Sequence, residues 1–302
     1  MRILHIIPKI SSGGTEKQLE YLCTELLLAG HEVHVAYLHD SKESILFSSG
    51  VCMHKLRATN NHNPILILQI IKLIRQIAPD IVNTWILQMD IFGGLASLYC
   101  GVPFVLREPS SELAYPTTWK NRLRLIVGRY SAAIIANSNG GISYWKTHVS
   151  YHNFYKILNG IPIGNIKEVA PASFDILQNS ELPLILYVGR FVSDVSGDKN
   201  LVNLLRALAI VNKKMPVNSI LCGDGPQRTE LEDLSKILNI SDRVYFANHL
   251  SSIEVWGLMK SSSIFISLSG YEGCPNSVLE AIACECPVVL SDIPAHREIL
   301  DH

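Results

Sequence analysis

Short apolar runs alternate with amphipathic segments along nearly all of this 302-residue chain. Runs such as RILHIIP, HEVHVAYL and LPLILYVG read as buried strands, and the segments between them, such as residues 65–77, repeat their apolar residues at helical spacing. Alternation of this kind predicts an α/β fold with parallel sheets and helices on both faces. In such sheets, ligands bind beyond the carboxyl ends of the strands.

The alternation is interrupted once, over residues 161–182, where the periodicity disappears. A chain of this length is typical of two domains. We therefore predict an N-terminal doubly wound domain over residues 1–165, a linker over 166–182 and a second doubly wound domain over 183–302, the two facing a cleft. Because the chain stops at REILDH soon after a strand, we expect the second domain to be C-terminally truncated.

The net charge, the apolar runs and the cysteines of the chain argue against several classes of protein. The formal net charge of −1 gives no reason to expect a nucleic-acid partner. The first apolar run is too short for a signal peptide, and Lys72 and Arg75 interrupt the most apolar stretch, which suits a core-facing helix better than a membrane span. The seven cysteines form no CxxC pair, so we expect reduced thiols in a cytoplasmic protein and no metal site.

Two segments place ligand-compatible residues at strand ends. Gly13 and Gly14 follow the first strand and let the backbone approach a ligand, although no G-x-G-x-x-G fingerprint is present and a plain turn is equally compatible. Arg190 and Lys199 leave the strand of the YVGR segment, where two cations suit a diphosphate. The alternative is a pair of solvated surface cations.

Two further segments have the same context. Gly223 and Gly225 form a tight GDG turn, which ordinary turn chemistry would also explain. In YEGCPNSVLE, Glu272 and Glu280 bracket a helix start that Asn276 or Ser277 can cap. A helix N-terminus suits an anion, while carboxylates accept hydrogen bonds from hydroxyl groups. Alternatively, Glu272 is solvated and Glu280 lies on an exposed helix face.

The order and context of these segments resemble the GT-B glycosyltransferases of family 4, the large group of retaining, nucleotide-sugar-dependent transferases. The resemblance covers nearly the whole chain, and its most specific part is the E-x7-E pattern of EGCPNSVLE, followed by PVV. The other motifs that carry it are GGTE at 13–16, NS at 137–138, NG at 159–160, VGR with the later KN, and GDGP.

The resemblance implies a GT-B fold of two Rossmann-like domains. It also implies a metal-independent, hexosyltransferase-type enzyme of surface polysaccharide or lipopolysaccharide synthesis. Such an enzyme moves a sugar from a nucleoside-diphosphate sugar to a glycan or polyprenyl-linked acceptor. We expect a UDP-sugar as the donor, with a GDP-sugar as the alternative.

The family's site roles can be carried over by motif position. Glu280 would bind the ribose hydroxyls, Glu272 the transferred sugar, and Arg190 with Lys199 the diphosphate. The other implied contacts involve mostly backbone. Gly13 and Gly14 would let the first domain close over the phosphates, and the backbone amides of Asn276, Ser277 and Val278 would donate hydrogen bonds to them. The base would lie near Phe246, Asn248 and Leu250, with Gly225 beside it.

The chain departs from the family pattern at three places. The loop from Arg190 to Lys199 is longer than the commonest spacing in the family. Many relatives carry a histidine where this chain has Arg107 and Glu108. Arg107 would stabilise charge and Glu108 would contact sugar hydroxyls or the acceptor, unless the two form a mutual salt bridge. Glu285 replaces the glycine that usually follows the E-x7-E helix, so we expect that helix to end differently.

The segment Trp119–Arg129 predicts a basic amphipathic helix. An amphipathic basic helix can lie on an anionic membrane surface, and enzymes of this group often use lipid-linked acceptors there. The alternative is a solvated face of a helix that packs on the sheet. The four cations of the segment are Lys120, Arg122, Arg124 and Arg129.

Two other functions remain open from the sequence. A nucleotide-sugar epimerase shares the two-domain architecture but normally needs several acid and base groups. A truncated, binding-only fragment is the non-enzymatic reading, and under it the chain binds a nucleoside diphosphate but transfers sugar poorly.

Overall fold

The computed structural model describes residues 1–11, 13–40, 47–110, 118–150, 153–172, 182–194, 197–248 and 250–301. The chain divides into two compact units, Met1–Gly160 and a second unit that begins at Ile161. Both units are α/β and each contains a parallel sheet, as the strand–helix alternation predicts.

The described residues of the first unit form seven parallel strands and five helices. The strands are β1 (Arg2–Ile10), β2 (Glu32–Asp40), β3 (Cys52–Lys55), β4 (Ile81–Trp85), β5 (Phe104–Glu108), β6 (Ala133–Ala136) and β7 (Phe154–Lys156). The helices are α1 (Gly14–Leu28), α2 (Ile65–Ile77), α3 (Leu87–Cys100), α4 (Trp119–Gly128) and α5 (Asn139–His148). The strand order is β3-β2-β1-β4-β5-β6-β7, so the direction of winding reverses between β1 and β4.

Two apolar clusters cover the two faces of this sheet. Because successive strand residues point to opposite faces, β1 contributes Leu4 and Ile6 to one cluster and Ile7 to the other. The larger cluster includes residues of α2, α3, α4 and α5, whereas the smaller one packs Leu19 and Cys23 of α1 against β1 and β2. No described helix is long and apolar enough to cross a bilayer.

The second unit has the same construction. Its strands are β8 (Leu184–Val188), β9 (Ser193–Asp194), β10 (Gly197–Asp198), β11 (Asn218–Cys222), β12 (Val244–Ala247), β13 (Ile264–Ser267) and β14 (Val288–Leu290). Its helices are α6 (Ile163–Glu168), α7 (Leu201–Lys214), α8 (Arg228–Ile237), α9 (Ser252–Ser261), α10 (Asn276–Ala283) and α11 (Pro294–Leu300). The parallel sheet has the order β12-β11-β8-β13-β14, and β9 with β10 forms a separate antiparallel ribbon.

The segment predicted to be a linker, residues 166–182, begins inside α6 and continues as a strap along α9. The Ala172 amide donates to the Gly257 carbonyl at 3.0 Å, and the Lys260 ammonium donates to the Val169 carbonyl at 2.6 Å. Residues 166–172 are therefore part of the second unit, a correction to their assignment as linker. Residues 173–181 of the predicted linker lie outside the described ranges.

Candidate functional site

The strand order of the second sheet reverses between β8 and β13, and such a switch point is where α/β sheets bind ligands. Arg190 follows β8 closely, and Glu272 lies in the loop after β13. The fold therefore brings the carboxyl ends of these two strands together, although the two residues are far apart in sequence.

Lys199 and Glu272, both predicted site residues, form an ion pair at this position. The Lys199 ammonium donates to Oε1 of Glu272, and each side chain is less than one-fifth exposed. The Ser269 hydroxyl donates to the same oxygen at 2.8 Å. The structure thus unites the cation predicted for the diphosphate with the carboxylate predicted for the sugar.

The backbone at Arg190 is held by Tyr187, a residue that the sequence did not single out. The buried Tyr187 hydroxyl donates to the Arg190 carbonyl at 3.2 Å, and a Cβ on Gly189 would lie 2.5 Å from that hydroxyl. Burial raises the pKa of Tyr187, Glu272 raises it further and Arg190 opposes the shift. The hydroxyl is therefore within electrostatic reach of both charged groups.

The GDG turn lies directly against the backbone that carries Arg190. Gly223 and Gly225 have φ values of 143° and 157°, conformations that side chains disfavour. A Cβ on Gly223 would lie 2.0 Å from the Gly189 carbonyl oxygen, and one on Gly225 would lie 2.4 Å from that of Phe191. Both glycines are required for this close approach, which places Gly225 beside the Arg190 segment.

Arg228 organises the strand ends near which the base was predicted to bind. Its guanidinium donates to the carbonyl oxygens of Phe246 at 2.9 Å and Gly223 at 3.3 Å. In the predicted base region Phe246 and Leu250 are half-buried and Asn248 is exposed. Sequence reasoning missed Arg228, although its place at the start of α8, two residues after GDGP, was a usable signal.

Helix α10 starts differently from the prediction. Its N-cap is Pro275 and no side chain caps it, so the predicted capping by Asn276 or Ser277 is wrong. The Val278 amide donates to the Pro275 carbonyl at 3.2 Å, which also corrects its assignment as an amide open to phosphate. The first turn closes on the proline carbonyl because Pro275 is in the extended conformation that an N-cap residue adopts.

Glu280 lies on the buried side of α10 and is only 4% exposed. The alternative of an exposed helix face is therefore wrong. The expectation that Glu285 changes the helix end is wrong as well, because Glu285 adopts a left-handed φ of 60°, as a glycine would. The Cys286 amide then bonds to the Ala281 carbonyl at 3.0 Å, which closes the helix in the usual way.

In the first unit, Arg107 and Glu108 point to opposite faces of β5. Arg107 donates to Oδ1 of Asn159 at 3.2 Å and lies over the Trp85 ring at 5.8 Å. Neighbouring strand residues cannot face each other, so the alternative of an Arg107–Glu108 salt bridge is wrong.

The prediction that Glu108 contacts a substrate is also wrong. The Glu108 side chain is fully buried, and its Oε2 accepts hydrogen bonds from Arg124 at 2.8 Å and from the Trp145 indole at 2.9 Å. Arg124 also bonds to Asp90 at 2.7 Å. Burial raises the pKa of Asp90 to about 6, while Arg124 and a hydroxyl of Thr84 oppose that shift.

Arg124 is therefore part of the core and not of the basic surface predicted for α4, which corrects that prediction. The exposed residues of α4 and the turn after it include three large apolar or aromatic side chains and two cations. They are Trp119, Arg122, Ile126, Arg129 and Tyr130.

The GGTE and NG motifs meet at the start of α1. The Glu16 carboxylate accepts from the Ser11 hydroxyl at 2.6 Å, and a Cβ on Gly13 would lie 2.5 Å from Glu16 Oε2. The Gln18 amide bonds twice to the backbone of Gly160, at 2.9 Å and 2.7 Å. Gly13 thus makes room for an acidic side chain at the helix start, an arrangement that the sequence did not show.

The family profiles match both units. The profile of Glycosyltransferase Family 4 matches residues 12–164, half of the chain, and that of Glycosyl transferases group 1 matches residues 170–302. The chain belongs to glycosyltransferase family 4. Within the part of this family 4 chain that the structure describes, no group of three His, Cys, Asp or Glu side chains is arranged to hold a metal ion.

Relatives of this family 4 glycosyltransferase include proteins of bacterial surface-glycan synthesis. The capsular polysaccharide biosynthesis glycosyltransferase CapH of Staphylococcus aureus is 27% identical, over 99% of this chain and 83% of CapH. An N-acetylgalactosaminyltransferase of Campylobacter jejuni, named for a diphospho-undecaprenol acceptor, is 25% identical over 95% of this chain and 79% of its own length.

Among solved structures, Anabaena HepE in complex with UDP and glucose matches with a TM-score of 0.79 at 17% identity. The match covers 100% of this chain and 83% of HepE. This likeness establishes the GT-B fold of two parallel-sheet α/β domains.

Proposed function

We propose that this glycosyltransferase binds a nucleoside-diphosphate sugar at the switch point of its second unit and transfers the sugar with retention of configuration. The observation that carries the proposal is the convergence of Arg190, Lys199 and Glu272 beside β8 and β13. The UDP and UDP-glucose complexes of the structurally similar HepE favour a UDP-sugar as donor.

The donor contacts divide by chemistry. Arg190 and Lys199 supply positive charge for the diphosphate, and the buried Glu280 supplies an acceptor for ribose hydroxyls. Glu272 accepts from hydroxyls of the transferred sugar. Lys199 is shared between Glu272 and the diphosphate, whereas no ion pair among the described residues compensates the charge of Arg190.

The reaction follows from where charge develops. As the bond between the anomeric carbon and the phosphate oxygen breaks, negative charge accumulates on the leaving nucleoside diphosphate. Cations that bind this charge more strongly in the transition state than in the ground state lower the barrier. The acceptor oxygen attacks the same face of the sugar, and its proton passes to the departing phosphate, so no protein nucleophile is needed.

A transfer assay with labelled UDP-sugars and polyprenyl-linked saccharides tests this proposal. Arg190→Ala should reduce kcat at least tenfold, because one charged contact contributes about 1.5 kcal/mol or more. Arg206→Ala, on α7, is the matched control and should keep wild-type activity. Interconversion of the donor in the absence of acceptor would support the epimerase alternative instead.

We also propose that α4 contacts an anionic membrane surface where lipid-linked acceptors reside. In α4 and the turn after it, the exposed Trp119, Ile126 and Tyr130 lie among Arg122 and Arg129, the combination that interfacial helices use. Helices α2 and α4 contain no acidic residue, and the one acid of α3, Asp90, is buried. The diphospho-undecaprenol acceptor in the name of the Campylobacter relative supports this choice.

Flotation with vesicles that contain phosphatidylglycerol tests the membrane proposal. A variant carrying Arg122→Gln and Arg129→Gln should lose most of the bound fraction at low salt. A variant carrying Lys213→Gln and Lys214→Gln, which removes two cations from α7, should bind as wild type. Equal binding by both variants would contradict the assignment to α4.

A further inference from the structure

The loop that carries Glu272 is held at two points by serine hydroxyls. The Ser269 hydroxyl donates to Glu272 Oε1 at 2.8 Å, and the Ser291 hydroxyl at the end of β14 donates to the Ser269 carbonyl at 2.6 Å. Ser269 is 1% exposed, so water does not compete for its hydroxyl. Two partly buried hydrogen bonds, joined through Ser269, therefore link the end of β14 to the Glu272 carboxylate.

Both described contacts on Glu272 reach the same oxygen. Lys199 Nζ and Ser269 Oγ donate to Oε1, whereas within the described ranges no hydrogen bond or ion pair reaches Oε2. A lysine ammonium on a flexible stem fixes the position of a carboxylate poorly. The short, buried serine is therefore the contact that sets which oxygen of Glu272 points away from the protein.

The direction of the Ser291 side chain is itself fixed by backbone contacts. Its amide donates to the Ser267 carbonyl at 2.9 Å, and its carbonyl oxygen lies 2.8 Å from Nδ1 of His296. Because a carbonyl only accepts, that imidazole nitrogen carries the proton. His296, on the first turn of α11, is 1% exposed, whereas Ser291 itself is half-buried.

We propose that Ser269 is a positioning residue for sugar recognition. It holds Oε1 of Glu272 so that Oε2 accepts a hydrogen bond from a hydroxyl group of the transferred sugar, and Ser291 transmits the same constraint from β14. The inference rests on the proposed function, because it assigns to Glu272 the sugar part of the donor. It predicts a defect confined to that part and not to the nucleotide.

Titration calorimetry with UDP and with UDP-glucose, UDP-galactose and UDP-N-acetylglucosamine separates the two parts of the donor. Ser269→Ala should bind UDP within about twofold of wild type. It should bind the UDP-sugar preferred by the wild type roughly three- to tenfold more weakly, as expected for one charge-assisted hydrogen bond. Ser262→Ala removes another buried hydroxyl, one that bonds to a helix carbonyl, and should change neither affinity.

A second comparison excludes general damage to the loop. In a Glu272→Ala background, the additional Ser269→Ala change should have no further effect on UDP-sugar binding, since the carboxylate that it positions is gone. Equal loss for UDP and UDP-sugar, or additive losses in the double variant, would overturn the inference. If the wild type binds UDP but no UDP-sugar more tightly than UDP, the inference fails and nucleotide binding stands. Absence of all binding overturns the proposed function itself.

Discussion

Lys199 and Glu272 form a partly buried ion pair although 73 positions separate them in the chain. The pair joins the segment that follows β8 to the loop that follows β13, the two strands that flank the switch point of the second sheet. The carboxylate compensates the charge of Lys199, the cation that we propose for the diphosphate.

The coupling between these two residues should depend on ligand. A double-mutant cycle with Lys199→Met and Glu272→Gln, measured by chemical unfolding, should give an interaction energy of roughly 0.5–3 kcal/mol without nucleotide. With saturating UDP the coupling should fall, because Lys199 then shares its charge with the diphosphate. An unchanged coupling would argue against a contact between Lys199 and the phosphates.

The GDG turn should tolerate no side chain. Gly223→Ala places a Cβ 2.0 Å from the Gly189 carbonyl oxygen at a φ of 143°. The free energy of unfolding should therefore fall by about 1–3 kcal/mol or more. Gly164→Ala, in α6, meets no atom within 4 Å and should be neutral or slightly stabilising. Urea midpoints of the two variants measure the difference, and similar midpoints would contradict the close approach.

Arg228 should matter for binding of the base without contacting the reaction centre. Arg228→Met removes the donors that hold the carbonyl oxygens of Gly223 and Phe246, and the strand ends then lose their fixed positions. UDP affinity should fall several-fold, whereas affinity for inorganic pyrophosphate should not change. Lys236→Met, on the exposed side of α8, should leave both affinities intact.

Stability in mild acid should depend on His5. Burial lowers its pKa to about 3, and the Trp85 indole donates to its Nδ1 at 3.4 Å. Below pH 6.5 this histidine binds a proton in the unfolded chain but stays neutral in the folded chain. The free energy of unfolding therefore decreases as the pH falls. Between pH 6.5 and 4.5 the loss should be roughly 2 kcal/mol.

Comparison with His5→Asn isolates this contribution. Asp90 acts in the opposite direction, since its raised pKa of about 6 makes the folded state gain stability as the pH falls from 6 toward 3.8. Asp90 is present in both proteins, so its effect cancels in the difference. Urea unfolding of both proteins at pH 6.5 and 4.5 gives the answer, and parallel pH dependences would contradict a neutral, buried His5.

The helices and strands of the fold could be predicted from the sequence where buried apolar residues recur at regular spacing. Residues 65–77 were predicted as a helix and form α2 with those bounds, since Leu66, Ile70, Leu73 and Ile77 recur at helical spacing and are buried. Strand β3 was missed because CMHK has no apolar alternation, and among the described strands it pairs with β2 alone. Helices α6 and α11 are too short for a periodic signal.

The sequence pointed to candidate residues at strand ends but did not show their contacts with one another. Strand-end position and chemistry pointed to Arg190, Lys199 and Glu272, yet only the folded chain shows that two of them pair. Glu108 was misassigned because its partners, Arg124 and Trp145, lie 16 and 37 positions away. Long-range burial of a charge is a tertiary property that local sequence does not encode.

The central claim is that the second unit binds a nucleoside-diphosphate sugar through the E-x7-E segment. Its most direct measurement is calorimetric titration of UDP into the wild type, Glu280→Gln and Glu285→Gln. Glu280→Gln should bind UDP at least tenfold more weakly, because ribose hydroxyls lose a buried charged acceptor, while Glu285→Gln should bind as wild type. Wild-type UDP affinity in Glu280→Gln, or no affinity of the wild type for any nucleoside diphosphate, would contradict the account.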